Sequence, residues 1–111
     1  MVLRKPSDKV VFADDDTEKA FNKLSENSPL KKSLRRAISN LKENAFCGER
    51  IRKELIPREY TKKYGIDNLW WYPLLKGWRL VYSVTSVNKV EILAIIIEYF
   101  DHKNYERRFG Y

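Results

Sequence analysis

The sequence predicts an α+β domain in which two N-terminal helices pack on one face of a mostly antiparallel four-stranded sheet, in the order β-α-α-β-β-β with a short C-terminal segment. Three observations carry that prediction. Helical periodicity is confined to the first half of the chain, strand-like runs rich in aromatic and β-branched residues fill 68–100, and tight-turn residues separate those runs. Helices grouped ahead of meandering strands segregate to one face of an antiparallel sheet. A length of 111 residues suits one hydrophobic core and is too short for two, so 1–111 is read as a single domain.

Residues 9–13 (KVVFA) are a short β-prone run ending at Asp14-Asp15-Asp16. Asp15 followed three positions later by Glu18 matches a capping box, and Ala20, Phe21 and Leu24 give the ensuing helix one apolar stripe. Ser28-Pro29 is a second start signal, because serine caps the first turn and proline at the first helical position has no N–H to lose. From there Leu30, Leu34, Ala37, Ile38, Leu41 and Ala45 recur at helical spacing, with Gly48 as the stop. The opposite face carries Lys31, Lys32, Arg35, Arg36 and Lys42. It is either an ordinary solvated face or a cationic binding face.

Residues 50–65 have weak periodicity, a proline and frequent charges, as in a connector with an extended start. Residues 68–75 (NLWWYPLL) and 78–87 then form a hairpin about Lys76-Gly77, with Trp78, Leu80, Tyr82 and Val84 on one face and Arg79, Val81, Ser83 and Thr85 on the other. After a turn at Asn88-Lys89, residues 90–100 (VEILAIIIEYF) are almost continuously apolar, as expected of a central strand covered on both faces.

Composition narrows the function. The apolar fraction of 43% and the absence of low-complexity stretches indicate a globular chain. Residues 1–9 carry four charges and no apolar core, and the run 92–97 is far too short to span a bilayer, so a soluble, cytoplasmic protein with no membrane role is expected. The single Cys47 excludes an intramolecular disulfide and any multi-cysteine metal site, and is expected as a buried thiol near a helix end. Of the formal charge of +7, all the excess lies in 28–63, where eleven Lys or Arg face four Glu. A localised basic surface of that kind suits a polyanion or an acidic protein partner.

Gly77-Trp78-Arg79-Leu80-Val81-Tyr82, followed after one more strand by His102-Lys103-x-Tyr105-Glu106, resembles the RelE/ParE superfamily of type II toxins, with its G-[YW]-R-[LV]-x-Y strand and C-terminal H-[RK] pair. The two-helix N-terminal half and the segment Gly48-x-x-Ile51-x-Lys53-x-Leu55 fit the same pattern, so the resemblance spans nearly the whole chain. It implies a ribosome-dependent endoribonuclease that cleaves mRNA without metal or other cofactor, through attack of a ribose 2′-OH on its own 3′ phosphate. Arg79 matches the arginine on the scissile phosphate and Lys103 the second phosphate cation. His102 is a candidate acid or base, and Tyr105 and Tyr111 are candidates to activate the nucleophile. An arginine in a strand can instead pair with a neighbouring acid, and a lone histidine is more often structural.

RNA contacts are expected from Lys31, Lys32, Arg35, Arg36, Arg52, Lys53, Lys76, Arg107 and Arg108. Trp70, Trp71 and Tyr72 stand where relatives carry lysines; they suit base stacking, a core or a partner surface. The implied partners are the ribosome with its mRNA and a small acidic cognate antitoxin, the chain being a monomer or part of a toxin–antitoxin hetero-oligomer. Two other functions fit the same sequence. A ParE-like toxin acts on a DNA topoisomerase through protein contacts, and a non-catalytic relative binds nucleic acid without chemistry.

Overall fold

The computed structural model describes residues 9–86 and 92–109; the expected Asn88-Lys89 turn and Tyr111 lie outside them. The fold is α+β, with four helices and a mixed, open, five-stranded sheet among the described residues. Strand β1 (Lys9–Phe12) leads into helices α1 (Asp15–Lys23) and α2 (Pro29–Glu43). A two-residue strand β2 (Glu49–Arg50) and helix α3 (Arg58–Tyr64) precede β3 (Trp70–Pro73), β4 (Arg79–Ser86), β5 (Ile92–Phe100) and helix α4 (His102–Phe109).

Strand order is β1-β5-β4-β3-β2. The β3–β4–β5 meander is antiparallel, but β1 pairs with β5 in parallel, Val10 opposite Ala94 and Phe12 opposite Ile96. The expected arrangement, two helices on one face of a four-stranded sheet, is therefore corrected in three places. The connector at 50–65 donates β2 to the sheet and then forms α3, and the polar C-terminal segment is itself a helix. Both late helices were hard to see because each is only two turns long and shows few apolar residues. Strand β5 is central as expected, and its side chains feed two cores: Ala94 and Ile96 join Leu34, Ala37 and Leu41 of α2, while Ile97 and Phe100 join Tyr60 of α3 and Tyr105 and Phe109 of α4. A bulge between Val81 and Tyr82 shifts the β4–β5 register by one.

Local chemistry explains the ends of these elements. Asp14, not Asp15, caps α1: its carboxylate accepts from the Thr17 N–H at 2.8 Å, so the N-cap lies one residue earlier than expected and the Asp15/Glu18 capping box is not formed as expected. Ser28 and Pro29 open α2 as the sequence indicates, with Ser28 Oγ accepting from Lys31 N. That helix ends at Asn44, ahead of Gly48. The glycine has a different purpose. A Cβ there would come within 2.4 Å of the Trp71 carbonyl oxygen and 2.8 Å of Tyr82 Oη, which accepts the Gly48 N–H. Cys47 is exposed rather than buried. Among the described residues no helix is long and apolar enough to cross a membrane.

Candidate functional site

One end of the sheet gathers most of the residues that the sequence singles out. The β3–β4 connection is a short 3-10 turn, Leu75–Gly77, in which Lys76 (φ 47°) and Gly77 (φ 80°) both take left-handed backbone angles. It is closed by Leu74 N donating to Trp78 O and Trp78 N donating to Leu75 O. Pairing then places Arg79 opposite Pro73 on one side and Phe100 on the other. Directly after Phe100, Asp101 caps α4 by accepting from Asn104 N at 2.9 Å, so α4 starts beside Arg79 and its first turn folds over it.

The result is a cation held by two rings. The Arg79 guanidinium carbon lies 4.2 Å from the centre of the Trp71 ring and 4.4 Å from that of Tyr105. Those rings are 6.5 Å apart and inclined at 60°, too close to lie on opposite sides of the cation. They form two walls of a corner. A guanidinium binds ring faces through its π-surface and keeps its N–H fork in its own plane. Arg79 is half-buried, and among the described residues no carboxylate forms an ion pair with it. The alternative of an arginine tied to a neighbouring acid thus finds no partner among these residues.

His102 stands next to this corner. A Cβ on Gly77 would lie 3.4 Å from His102 Cβ, which shows how closely the turn backs onto the start of α4. His102 Nε2 is 2.7 Å from Glu106 Oε1, one helical turn on, and both side chains are substantially exposed. A carboxylate on one imidazole nitrogen orients the ring and leaves Nδ1 for other work. Lys76, exposed on the turn, adds a second cation.

Other predicted residues fall elsewhere. Tyr105 is 1% exposed, so it seats Arg79 from within the core. Lys103 is exposed two positions from Tyr105, and residues two apart do not share a helix face. Arg108 is committed to structure: it pairs with Glu59 at 2.7 Å, approaches Glu98 at 4.0 Å and covers the Tyr60 and Phe100 rings. Beneath it the Tyr60 hydroxyl donates to Glu98, and burial together with that carboxylate pushes the phenol well above its ordinary pKa.

The cationic face of α2 is thinner than its sequence suggests. Lys31 is buried, its ammonium donating to Glu26 (2.7 Å) and to the Leu24 and Asn22 carbonyls at the end of α1 (3.0 and 3.3 Å). A cation suits those unpaired helix-terminal carbonyls. Arg35 pairs with Glu26 at 2.6 Å, whereas Lys32 and Arg36 are exposed. Arg36 shares a stripe with Ser33, whose hydroxyl accepts from Leu75 N, and Asn40, which donates to Tyr72 Oη. It therefore stands on the side of α2 that faces the β3–β4 turn. Arg107 lies beside a cleft of about 630 Å³ with Trp78 and Tyr99, and Arg52 and Lys53 follow β2.

Sequence reasoning missed the cage role of Trp71. A two-residue turn at 76–77 would place 71 opposite 82; the three-residue turn 75–77 pairs 74 with 78 and so sets 71 opposite 81, on the Arg79 face. No protein-family model matches the chain, and comparison with curated proteins and with solved structures gives no match.

Proposed function

We propose that this chain is an RNA-cleaving toxin of a type II toxin–antitoxin pair, a ribosome-dependent endoribonuclease restrained by a small acidic antitoxin. The observation that carries the reading is the Arg79 corner. Two rings flank a half-buried guanidinium that pairs with no carboxylate among the described residues, with Lys76 on the adjoining turn and the His102–Glu106 pair beside it. A fixed cation of this kind stabilises charge that develops on a phosphate without having to reorganise.

In this mechanism the ribose O2′ attacks the adjacent phosphorus while the bond from phosphorus to the 5′ oxygen breaks. The hydroxyl proton leaves to a base and the 5′ oxygen collects one, giving a cyclic phosphate and a 5′-OH end. Arg79 holds the non-bridging oxygens. His102, oriented by Glu106, is the candidate to move a proton in this step. Tyr105 acts through Arg79, as a positioning residue.

A non-catalytic nucleic-acid-binding role is the second reading, favoured by the burial of Tyr105 and by the placement of Lys103 on another side of α4. Cell-free translation dosed with wild type or Arg79→Ala, with primer extension on the message, separates the two. Arrest with cleavage at ribosomal A-site positions by wild type, and a loss of about 10²–10³-fold in cleavage by the variant, is the expected result. Translation that proceeds uncut at every dose defeats the nuclease reading and turns attention to a topoisomerase target or to binding alone.

A further inference from the structure

The opposite end of the sheet carries a second concave surface. A cleft of about 380 Å³ is lined there by Phe46, Trp70, Arg50, Lys53, Asp67 and the last residues of β4. Phe46 is 39% exposed, one of three large apolar side chains so exposed among the described residues. Its position is built: Asn44 accepts from Phe46 N through its side chain (3.0 Å) and from Cys47 N through its carbonyl (3.2 Å), so the turn holds the ring outward.

Behind Phe46 the aromatic stack continues inward. Trp70 lies 5.2 Å away centre to centre, and it stacks in turn on the buried Tyr82 at 6.4 Å and 22°. The Arg50 guanidinium is 5.9 Å from the Trp70 ring, and Lys53 is exposed beside it. The far wall is rigid, because the Asn68 side chain both donates to Val84 O (2.8 Å) and accepts from Val84 N (2.9 Å) and Ser83 Oγ (3.1 Å). Thr85 and Ser86 offer exposed hydroxyls on that wall. The Asp67 carboxylate accepts from the Asn68 amide at 2.9 Å, leaving its other oxygen for a base N–H.

An exposed ring over an aromatic stack, two cations at the rim and a few polar groups for base edges are the elements of single-stranded nucleic-acid recognition. We propose that this cleft is a stacking subsite for one base of single-stranded RNA, with Arg50 and Lys53 on its phosphates. Trp70, the ring behind Phe46, pairs with Tyr82, three residue steps of β4 from Arg79 or about 10 Å at a strand's rise, and packs in the α2-side cluster and not on the Arg79 face, so the subsite holds a nucleotide other than the two that flank the bond that is cut. The inference rests on the RNA reading above and adds to it a preference for longer RNA over short fragments.

The test is fluorescence anisotropy of two labelled oligouridylates, a dinucleotide and one long enough to reach both ends of the sheet, with wild type, Phe46→Ala, Lys53→Glu and Arg79→Ala. Phe46 and Lys53 are exposed, so neither change threatens the fold. The proposal expects Phe46→Ala to weaken the long oligomer about tenfold or more and leave the dinucleotide unchanged. Lys53→Glu should weaken the long oligomer and flatten its salt dependence, and the effect of Phe46→Ala should persist in the Arg79→Ala background. Long-oligomer affinity untouched by Phe46→Ala and by Lys53→Glu, alongside Arg79-dependent cleavage, overturns the subsite and leaves the nuclease reading standing. Wild type that neither binds nor cuts any RNA overturns both, whereas uptake of an acidic peptide through Lys53 in place of RNA, with Arg79-dependent cleavage intact, overturns the subsite alone.

Discussion

The two faces of the sheet are built from different chemistry. On the α1/α2 face, Leu34, Ala37 and Leu41 meet Leu80, Ala94 and Ile96, with Tyr82 the one ring in the buried cluster and Trp70, Tyr72, Trp78 and Tyr99 packed at its margin. On the α3/α4 face two short helices are held by rings and polar contacts, with Tyr60, Tyr105 and Phe109 in the core and the Glu59–Arg108–Glu98–Tyr60 cluster at its margin. Apolar packing is non-directional and supplies bulk stability, whereas a guanidinium in a corner of two rings or a phenol on a carboxylate is held in one orientation. Arg79, on which the proposed activity rests, sits on the second face. One side of the sheet stabilises the domain and the other positions its side chains.

Four substitutions break or sharpen this contrast, the largest expected effect first. Leu41→Ala removes a fully buried aliphatic from the α2 face and should cost about 2–5 kcal/mol in urea denaturation, with cleavage per folded molecule unchanged. Arg79→Lys keeps the charge but loses the planar fork. Cleavage should fall by about 10²-fold while the melting temperature moves little, and a lysine variant as active as wild type would mean that fork geometry is irrelevant there. Tyr60→Phe removes a buried hydroxyl that donates to Glu98, for an expected loss of about 1.5–3 kcal/mol. Its signature is faster amide exchange in α3 and α4 than in α2.

The smallest effect concerns Asp14, which joins the two faces by capping α1 and accepting from Tyr64 Oη (3.0 Å) and Lys63 Nζ (3.5 Å) on α3. The Thr17 N–H, chiefly, and then the Thr17, Tyr64 and Lys63 side chains lower its pKa from 3.8 to about 2, against the opposing effect of burial. A carboxylate depressed in the folded state stabilises it above the unfolded pKa and loses that contribution as pH falls. Asp14→Ala should therefore cost about 1 kcal/mol at neutral pH. The gap between variant and wild type should close between pH 4 and pH 2, and a gap that stays constant through that window would remove Asp14 from the pH-dependent stability.

Much of this architecture was legible in the residues themselves. The apolar spacing from Leu30 to Leu41, the Ser28-Pro29 start, the Lys76-Gly77 turn and the unbroken run into Phe100 each state a local preference, and local preferences act between neighbours in sequence. So the helices before the meander and the long apolar strand could be read directly. What lay beyond reach were contacts between distant segments. The parallel seating of β1 on β5, the conversion of the connector into β2 and α3, and the burial of Lys31 under Glu26 all depend on which segments meet.

The same division runs through the candidate site. Residue types and their spacing pointed to Arg79, His102 and Tyr105 by resemblance, but only the tertiary structure decided what each side chain does. Strand register places Trp71 beside Arg79, and the Asp101 cap throws α4 across it, turning Tyr105 into a wall of the cage and leaving Lys103 outside. Sequence by itself determined the kinds of element and the kinds of charge this protein carries. The fold decided which charges are held, which are spent on structure and which face solvent, because burial and orientation belong to the packed state and to no single stretch of chain.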